Sequence, residues 1–171
     1  MSHDHSSSTI ETAILTVSDT RKMQTDISGD RVESLLIEAG HRCQIRKIVP
    51  DQTQQIQAAI QTWMGNPDID AIIVTGGTGV SMQDVTPDAI LPMCTTLLPG
   101  FGELFRHLSF EVIGPAAMLS RAGAGILDCQ DRKIPIFFLP GSPHAVELAV
   151  KQLIAPQLGH LVDLCHEKVK Q

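Results

Sequence analysis

A chain of 171 residues with 43% apolar and 19% charged side chains has the make-up of one folded domain with a sizeable core, which excludes a disordered polypeptide. Its formal net charge of −6 excludes a surface built for duplex nucleic acid or an anionic membrane, and no apolar run approaches the roughly 20 residues that span a bilayer. The four cysteines, Cys43, Cys94, Cys129 and Cys165, include no CxxC pair, which points to reduced thiols in a cytoplasmic protein and not to a disulfide framework or a zinc site.

Residues 1–10 (MSHDHSSSTI) are polar and serine-rich and are expected to form a flexible tail, leaving 11–171 as a single domain. The tail lacks the basic region and apolar core of a signal peptide, and its His3-x-His5 pair lacks a third ligand. Ala13–Val17 (AILTV) reads as a buried strand ending at Ser18-Asp19-Thr20. A helix is expected from Ser28 or Gly29 to about Ala39, with Val32, Leu35, Leu36 and Ala39 on one face and Gly40 as its stop. Cys43–Val49 gives a second strand ending at Pro50-Asp51. Thr53–Met64 gives a second helix, with Ile56, Ala59, Ile60 and Trp63 at helical spacing, and Ala71–Val74 a third strand. This β-α-β-α-β succession belongs to the α/β class with a parallel sheet.

The loop Thr75-Gly76-Gly77-Thr78-Gly79 follows. Pro87–Leu97 reads as a helix shortened or kinked by Pro92, and Gly100-Phe101-Gly102-Glu103 opens another, with Phe101, Leu104, Phe105 and Leu108 on one face. Ala116–Leu119 fits either helix or extended chain. Gly125–Cys129 and Ile134–Leu139 read as paired strands, the second ending at Pro140-Gly141-Ser142-Pro143. A long final helix, with Val146, Ala149, Val150 and Leu153 buried, is expected to break or bend near Pro156.

Ser18-Asp19, Asp51, Thr75–Gly79 and Pro140–Ser142 each follow directly on an expected strand. Open α/β sheets bind ligands at the carboxyl ends of their strands, so these segments should converge. The glycine loop exposes backbone N–H groups ahead of a helix, which suits an anion, although a tight turn alone also calls for glycine. No GK[ST] follows it, so it is not a Walker A loop, and SDTRKMQTD after the first strand excludes a GxGxxG dinucleotide site. Asp84 is either a turn aspartate, with Thr86 and Pro87 capping the next helix, or a carboxylate beside phosphate able to hold Mg²⁺. Asp51 is either part of a D-x-x-Q capping box or a second carboxylate on the ligand face. The two together suit metal-assisted phosphoryl or nucleotidyl transfer. Ser142 fits an N-cap before Pro143 and also an anion contact. Glu103 fits a helix-start acid, and Arg121 either a surface arginine or the cation that a missing P-loop lysine would otherwise supply.

The ordered set VSDTR (17–21), DxSG (26–29), AGH (39–41), TGGTG (75–79), DVTPDA (84–89), GFGELFR (100–106), SR (120–121) and LPGS (139–142) resembles the MoaB/MogA family of molybdenum cofactor biosynthesis proteins over about residues 12–158. The segment GFGELFRxLSFEVIG is closer to the MoaB branch. The resemblance implies a three-layer α/β/α fold with a mostly parallel, molybdopterin-binding-like sheet, assembled as a trimer or hexamer. It further implies adenylylation of molybdopterin: AMP passes from Mg-ATP to the terminal phosphate and pyrophosphate leaves, before molybdate insertion. The alternative is a carrier or assembly protein of the same pathway that holds molybdopterin without turnover. Carried onto this chain, Asp51 and Asp84 form the catalytic acidic pair and hold Mg²⁺. Thr75, Gly76, Gly77, Thr78, Gly79, Gly100, Glu103, Pro140, Gly141 and Ser142 would line the nucleotide and phosphate region, with Ser18, Asp19, Ser120 and Arg121 in the same pocket. ATP is the implied co-substrate, with no permanently bound cofactor; other cofactor-assembly proteins are implied partners, nucleic acid and membrane are not. One departure stands out: many relatives carry arginine immediately before the aspartate of the DVTP motif, and this chain carries Gln83.

Overall fold

Six strands form one sheet: β1 (Glu11–Val17), β2 (Arg42–Val49), β3 (Ala71–Thr75), β4 (Cys94–Leu97), β5 (Gly123–Cys129) and β6 (Arg132–Leu139), in the spatial order β2-β1-β3-β6-β5-β4. They are seen in a computed structural model of the protein that describes residues 8–167. β1 pairs in parallel with β2 and β3, and β3 with β6; β5 runs antiparallel to both β6 and β4. Five strands therefore point one way and only β5 is reversed, the mostly parallel sheet that was expected.

Helices α1 (Ile27–Glu38), α2 (Thr53–Met64), α3 (Thr86–Ile90), α4 (Pro99–Ile113), α5 (Pro143–Ala149) and α6 (Ala155–His166) cover the two faces. Alternation along the strands decides which face each side chain meets. Ile14, Ile73 and Phe137 pack with Leu36, Phe105, Val146 and Leu158, whereas Leu15, Ile72 and Phe138 pack with Ile56, Ile60, Trp63 and Ile90. Such fully buried side chains each stabilise the fold by about 1.5–3 kcal/mol. The result is three layers, α/β/α. Among the described residues no helix is long and apolar enough to cross a membrane.

Several boundaries differ from the sequence reading. Residues 1–7 of the expected tail, with His3 and His5, lie outside the described residues, while Ile10 is buried in the core, because an isoleucine adjoining β1 gains more from packing than from solvent. The helix expected over Pro87–Leu97 ends at Ile90; a 3-10 turn (Leu91–Met93) and strand β4 replace the remainder. Pro92 lacks an N–H to continue the helix, and β5 offers Cys94–Leu97 a partner strand. Helix α1 starts earlier than expected, at Ile27, capped by Asp26, whose carboxylate accepts from the Gly29 N–H at 3.0 Å, and Gly40 closes it at φ 87°. Ala39, placed on its apolar face, is exposed, as is Leu104 of α4. Ala116–Leu119 lies in a 3-10 turn (Gly114–Leu119).

The final helix is interrupted where a bend was expected, by a π-helical turn at Val150–Ile154. The Ala155 N–H donates to the Val150 carbonyl five residues back, just before Pro156, which has no N–H to give. The extra residue rotates the apolar face, so Ile154 is buried and Leu153 only half-buried.

Candidate functional site

The parallel strands bring their carboxyl ends to one edge, and there Ser18, Asp51, Gly76, Gly77, Asp84 and Gly141 line a cleft of about 340 Å³. Backbone bonds lock the loops together: Gly76 N–H to Leu139 O at 2.9 Å and Ser18 N–H to Val49 O at 2.9 Å, with Thr75 Oγ1 donating to Pro140 O at 2.9 Å. The glycines answer to more than turn geometry. Gly76 has φ 102° and a Cβ there would sit 2.2 Å from Val17 O; Gly77 has φ 66° and its Cβ would meet Asp51 Oδ1 at 2.9 Å. A Cβ at Gly79 would lie 2.7 Å from Asp84 Oδ2. The loop is bare where the two carboxylates press against it.

Asp51 does not cap α2. The N-cap is Gln52, without a side-chain cap bond, so the capping-box explanation falls. The Asp51 N–H instead donates to Asp19 Oδ1 at 3.1 Å. Burial, followed by the negative charges of Asp19 and Asp84, raises the Asp51 pKa above the ordinary carboxylate value. Asp84 moves the other way. Its carboxylate accepts from Ser81 Oγ at 2.6 Å and the Ser81 N–H at 2.9 Å; the hydroxyl contributes most to lowering its pKa, against the opposing effect of burial, and Arg121 adds favourable charge. Thr86 is likewise not a cap, since Val85 holds that position. Its hydroxyl donates to Gly76 O at 2.7 Å and its N–H to Gly77 O at 3.0 Å, clamping the glycine loop.

Arg121 is neither a free surface arginine nor a cation lining the cleft. Its Nε donates to Gly79 O at 2.8 Å, Nη2 to Asp84 O, and Nη1 to the Asp88 carboxylate at 3.0 and 3.2 Å, while its N–H donates to Thr78 O at 2.8 Å. It ties the glycine loop to the backbone of Asp84. Ser120 accepts from the Ala122 N–H at 3.3 Å, and Ser142 caps α5 by accepting from the Ala145 N–H at 3.1 Å. Gly100 and Glu103 occupy the start of α4, beyond the reversed strand β5 and away from the cleft lining; Gly100 borders an apolar groove with Phe101 and Leu104.

Arg21, to which no role was assigned from sequence, lines the cleft. Its Nη1 donates to Ser28 Oγ at 2.7 Å and Nη2 to Gly141 O at 3.0 Å. The buried Asp26 lies 3.6 Å behind it. The available signal was the pairing of an arginine after the first strand with the capping aspartate of DxSG. Gln83 also lines the cleft.

Among the described residues no group of three or more His, Cys, Asp or Glu side chains could hold a metal ion. Mg²⁺ does not need one, because it is commonly held by one or two carboxylates plus substrate phosphates and water. Asp51 and Asp84, both against the glycine loop, fit that donor set.

A mostly parallel sheet flanked by helices on both faces, with a glycine loop and two carboxylates at its carboxyl edge, defines an α/β protein of the three-layer kind. Residues 13–160 match a family described as "Probable molybdopterin binding domain". Over 155 residues the chain is 46% identical to the molybdenum cofactor biosynthesis protein B of Halalkalibacterium halodurans, covering 90% of this chain and 89% of that one. It is 44% identical over 150 residues to the Bacillus subtilis protein of the same name, covering 87% and 86%. A crystal structure of a molybdenum cofactor biosynthesis protein B superposes with a TM-score of 0.89 at 40% identity over 94% of this chain and 98% of that one. The tungsten cofactor synthesizing protein MoaB from Pyrococcus furiosus superposes with a TM-score of 0.84 at 32% identity, over 93% and 98%. The chain belongs to the MoaB/MogA family of molybdenum cofactor biosynthesis proteins.

Proposed function

We propose that the protein acts in molybdenum cofactor biosynthesis as a molybdopterin adenylyltransferase. The observation that carries this reading is the placement of two carboxylates, Asp51 and Asp84, directly against a glycine loop at the carboxyl ends of parallel strands. In the proposed reaction an oxygen of the molybdopterin phosphate attacks the α-phosphorus of ATP, a phosphoanhydride forms, and the bond to the leaving pyrophosphate breaks. Such transfers depend on positioning and charge neutralisation more than on covalent participation by the protein. Asp51 and Asp84 would hold Mg²⁺, which when bound supplies neutralisation of phosphate charge. Gly76 and Gly77 let the ligand approach the backbone, and Thr86 and Arg121 keep that loop in place. A cytoplasmic setting belongs to the same reading, and the four cysteines, all free thiols, are compatible with it. Assembly as a trimer or hexamer, and contact with other cofactor-assembly proteins, belong to the same reading.

The test is an adenylylation assay with purified protein, molybdopterin and ATP, following pyrophosphate with and without Mg²⁺. Mg²⁺-dependent release, abolished in Asp84→Asn, is the expected result; full turnover in that variant removes the mechanism. Gln83 in the cleft, a neutral side chain beside the phosphate site, favours the second reading, a molybdopterin carrier without turnover. Tight molybdopterin binding with no adenylylated product at any Mg²⁺ concentration would decide for the carrier.

A further inference from the structure

We propose that Arg21 is the phosphate-binding cation of this cleft and grips a terminal phosphate or polyphosphate of the bound substrate. The inference rests on the nucleotidyl-transfer reading and names the side chain that meets the substrate's charge. The cleft contains two carboxylates, and among the described residues that line it Arg21 is the sole cationic side chain. Beyond the Mg²⁺ that Asp51 and Asp84 would hold, a polyanion entering there would find no positive side chain of the protein other than Arg21. Arg121, the arginine singled out by its motif, is occupied with Gly79, Asp84 and Asp88.

The geometry of Arg21 is that of a held, partly vacant fork. A guanidinium has five N–H donors. Two are engaged, Nη1 with Ser28 Oγ and Nη2 with the Gly141 carbonyl, leaving three (five less two) without a hydrogen bond among the described residues. Asp26, at 3.6 Å, is an ion partner beyond hydrogen-bond reach. Asp26 is itself fixed: it is 1% exposed and accepts from Thr16 Oγ1 at 2.7 Å, the Gly29 N–H at 3.0 Å and Arg46 Nη2 at 3.1 Å. Ser28 Oγ also donates to the Gly141 carbonyl at 2.6 Å, so the groups flanking the guanidinium are bonded to one another. The side chain remains 30% exposed and forms part of the cleft lining. A pre-oriented arginine with spare donors is suited to the oxygens of a phosphate, which it can contact in pairs.

Calorimetric titration of the full chain tests this with three probes taken separately: inorganic pyrophosphate, Mg-ATP and molybdopterin. Wild type, Arg21→Gln, Arg21→Lys and Ser28→Ala are compared, with a thermal melt of each. Arg21→Gln is expected to raise the Kd for pyrophosphate at least tenfold and to flatten the dependence of binding on salt. Arg21→Lys, which keeps the charge and loses the fork, should weaken it at least threefold, and it carries the test should Arg21→Gln not fold. Ser28→Ala removes a supporting bond and leaves the cation, so its Kd should stay within threefold of wild type. Loss confined to pyrophosphate and Mg-ATP assigns Arg21 to the nucleotide, and a loss shared with or confined to molybdopterin assigns it to the pterin phosphate. Binding within twofold of wild type for all three probes in the Arg21 variants overturns the inference alone. Equal weakening in Ser28→Ala and Arg21→Gln also overturns it, as the mark of a purely structural arginine. A wild-type protein that binds none of the probes overturns the functional reading as well.

Discussion

At the residue scale, Asp51 and Asp84 share a cleft and respond to acid in opposite ways. The folded Asp51 pKa is raised, so the native state takes up a proton more readily than the unfolded chain. Its charge weakens the fold at neutral pH, and that penalty disappears as pH falls through the raised value. Asp84 is lowered, so its contribution is present above the unfolded value of about 3.9 and is lost as pH falls through its folded value. Calorimetry at pH 7 should therefore find the Tm of Asp51→Asn raised and that of Asp84→Asn lowered, both by small amounts because water screens the two carboxylates. Both variants should lose turnover. On acidification Mg²⁺ affinity should fall first with Asp51, at a higher pH than an unperturbed aspartate would give. Gly76→Ala belongs to the same scale. With φ 102° and a Cβ 2.2 Å from Val17 O, the only relief is movement of backbone, and urea unfolding should show a loss of about 2–3 kcal/mol or more.

At the scale of elements, the glycine loop is held from outside by the segment before β5. Arg121 makes four hydrogen-bonding contacts from its guanidinium, two of them to loop and Asp84 carbonyls. Arg121→Lys keeps the charge but cannot reproduce that fork. It should lower kcat about tenfold, equivalent to ~1.4 kcal/mol of barrier, with KM changed much less. Steady-state kinetics would check the split; an unchanged kcat would mean that the loop holds its shape without the clamp. The strand-end motifs were legible because a short apolar run and the glycine or aspartate that follows it are local signals. β4 was not, because Cys94–Leu97 becomes a strand only against β5, whose Gly125–Leu127 supplies the pairing. The π turn before Pro156 is an intermediate case: proline announced a break, and packing of Ile154 and Leu158 chose how it was made.

At the scale of the molecule, α4 and the turn after it leave Phe110, Val112, Ile113, Met118 and Leu119 each more than half exposed. Large apolar side chains exposed on two adjoining segments are of the kind that protein–protein contacts bury, which supports the proposed trimer or hexamer. Sedimentation should find that assembly in wild type and a smaller species in the double variant Phe110→Glu, Ile113→Glu. A monomeric wild type would remove the oligomer from the proposal.

The sequence by itself determined the β-α-β-α-β succession of the first three strands and their crossover helices, the four strand-end segments that meet at one edge, and the glycines and carboxylates of the cleft. Those follow from local patterning and from the fact that parallel strands place their carboxyl ends together. The tertiary structure alone decided what the arginines do. Arg121 was expected near phosphate and instead clamps the loop, while Arg21, which had no expected role, faces the cleft and bonds Gly141, 120 residues away. A guanidinium sits at the end of a long flexible stem, and the oxygens within its reach are chosen by how strands and helices pack, not by its neighbours in the chain.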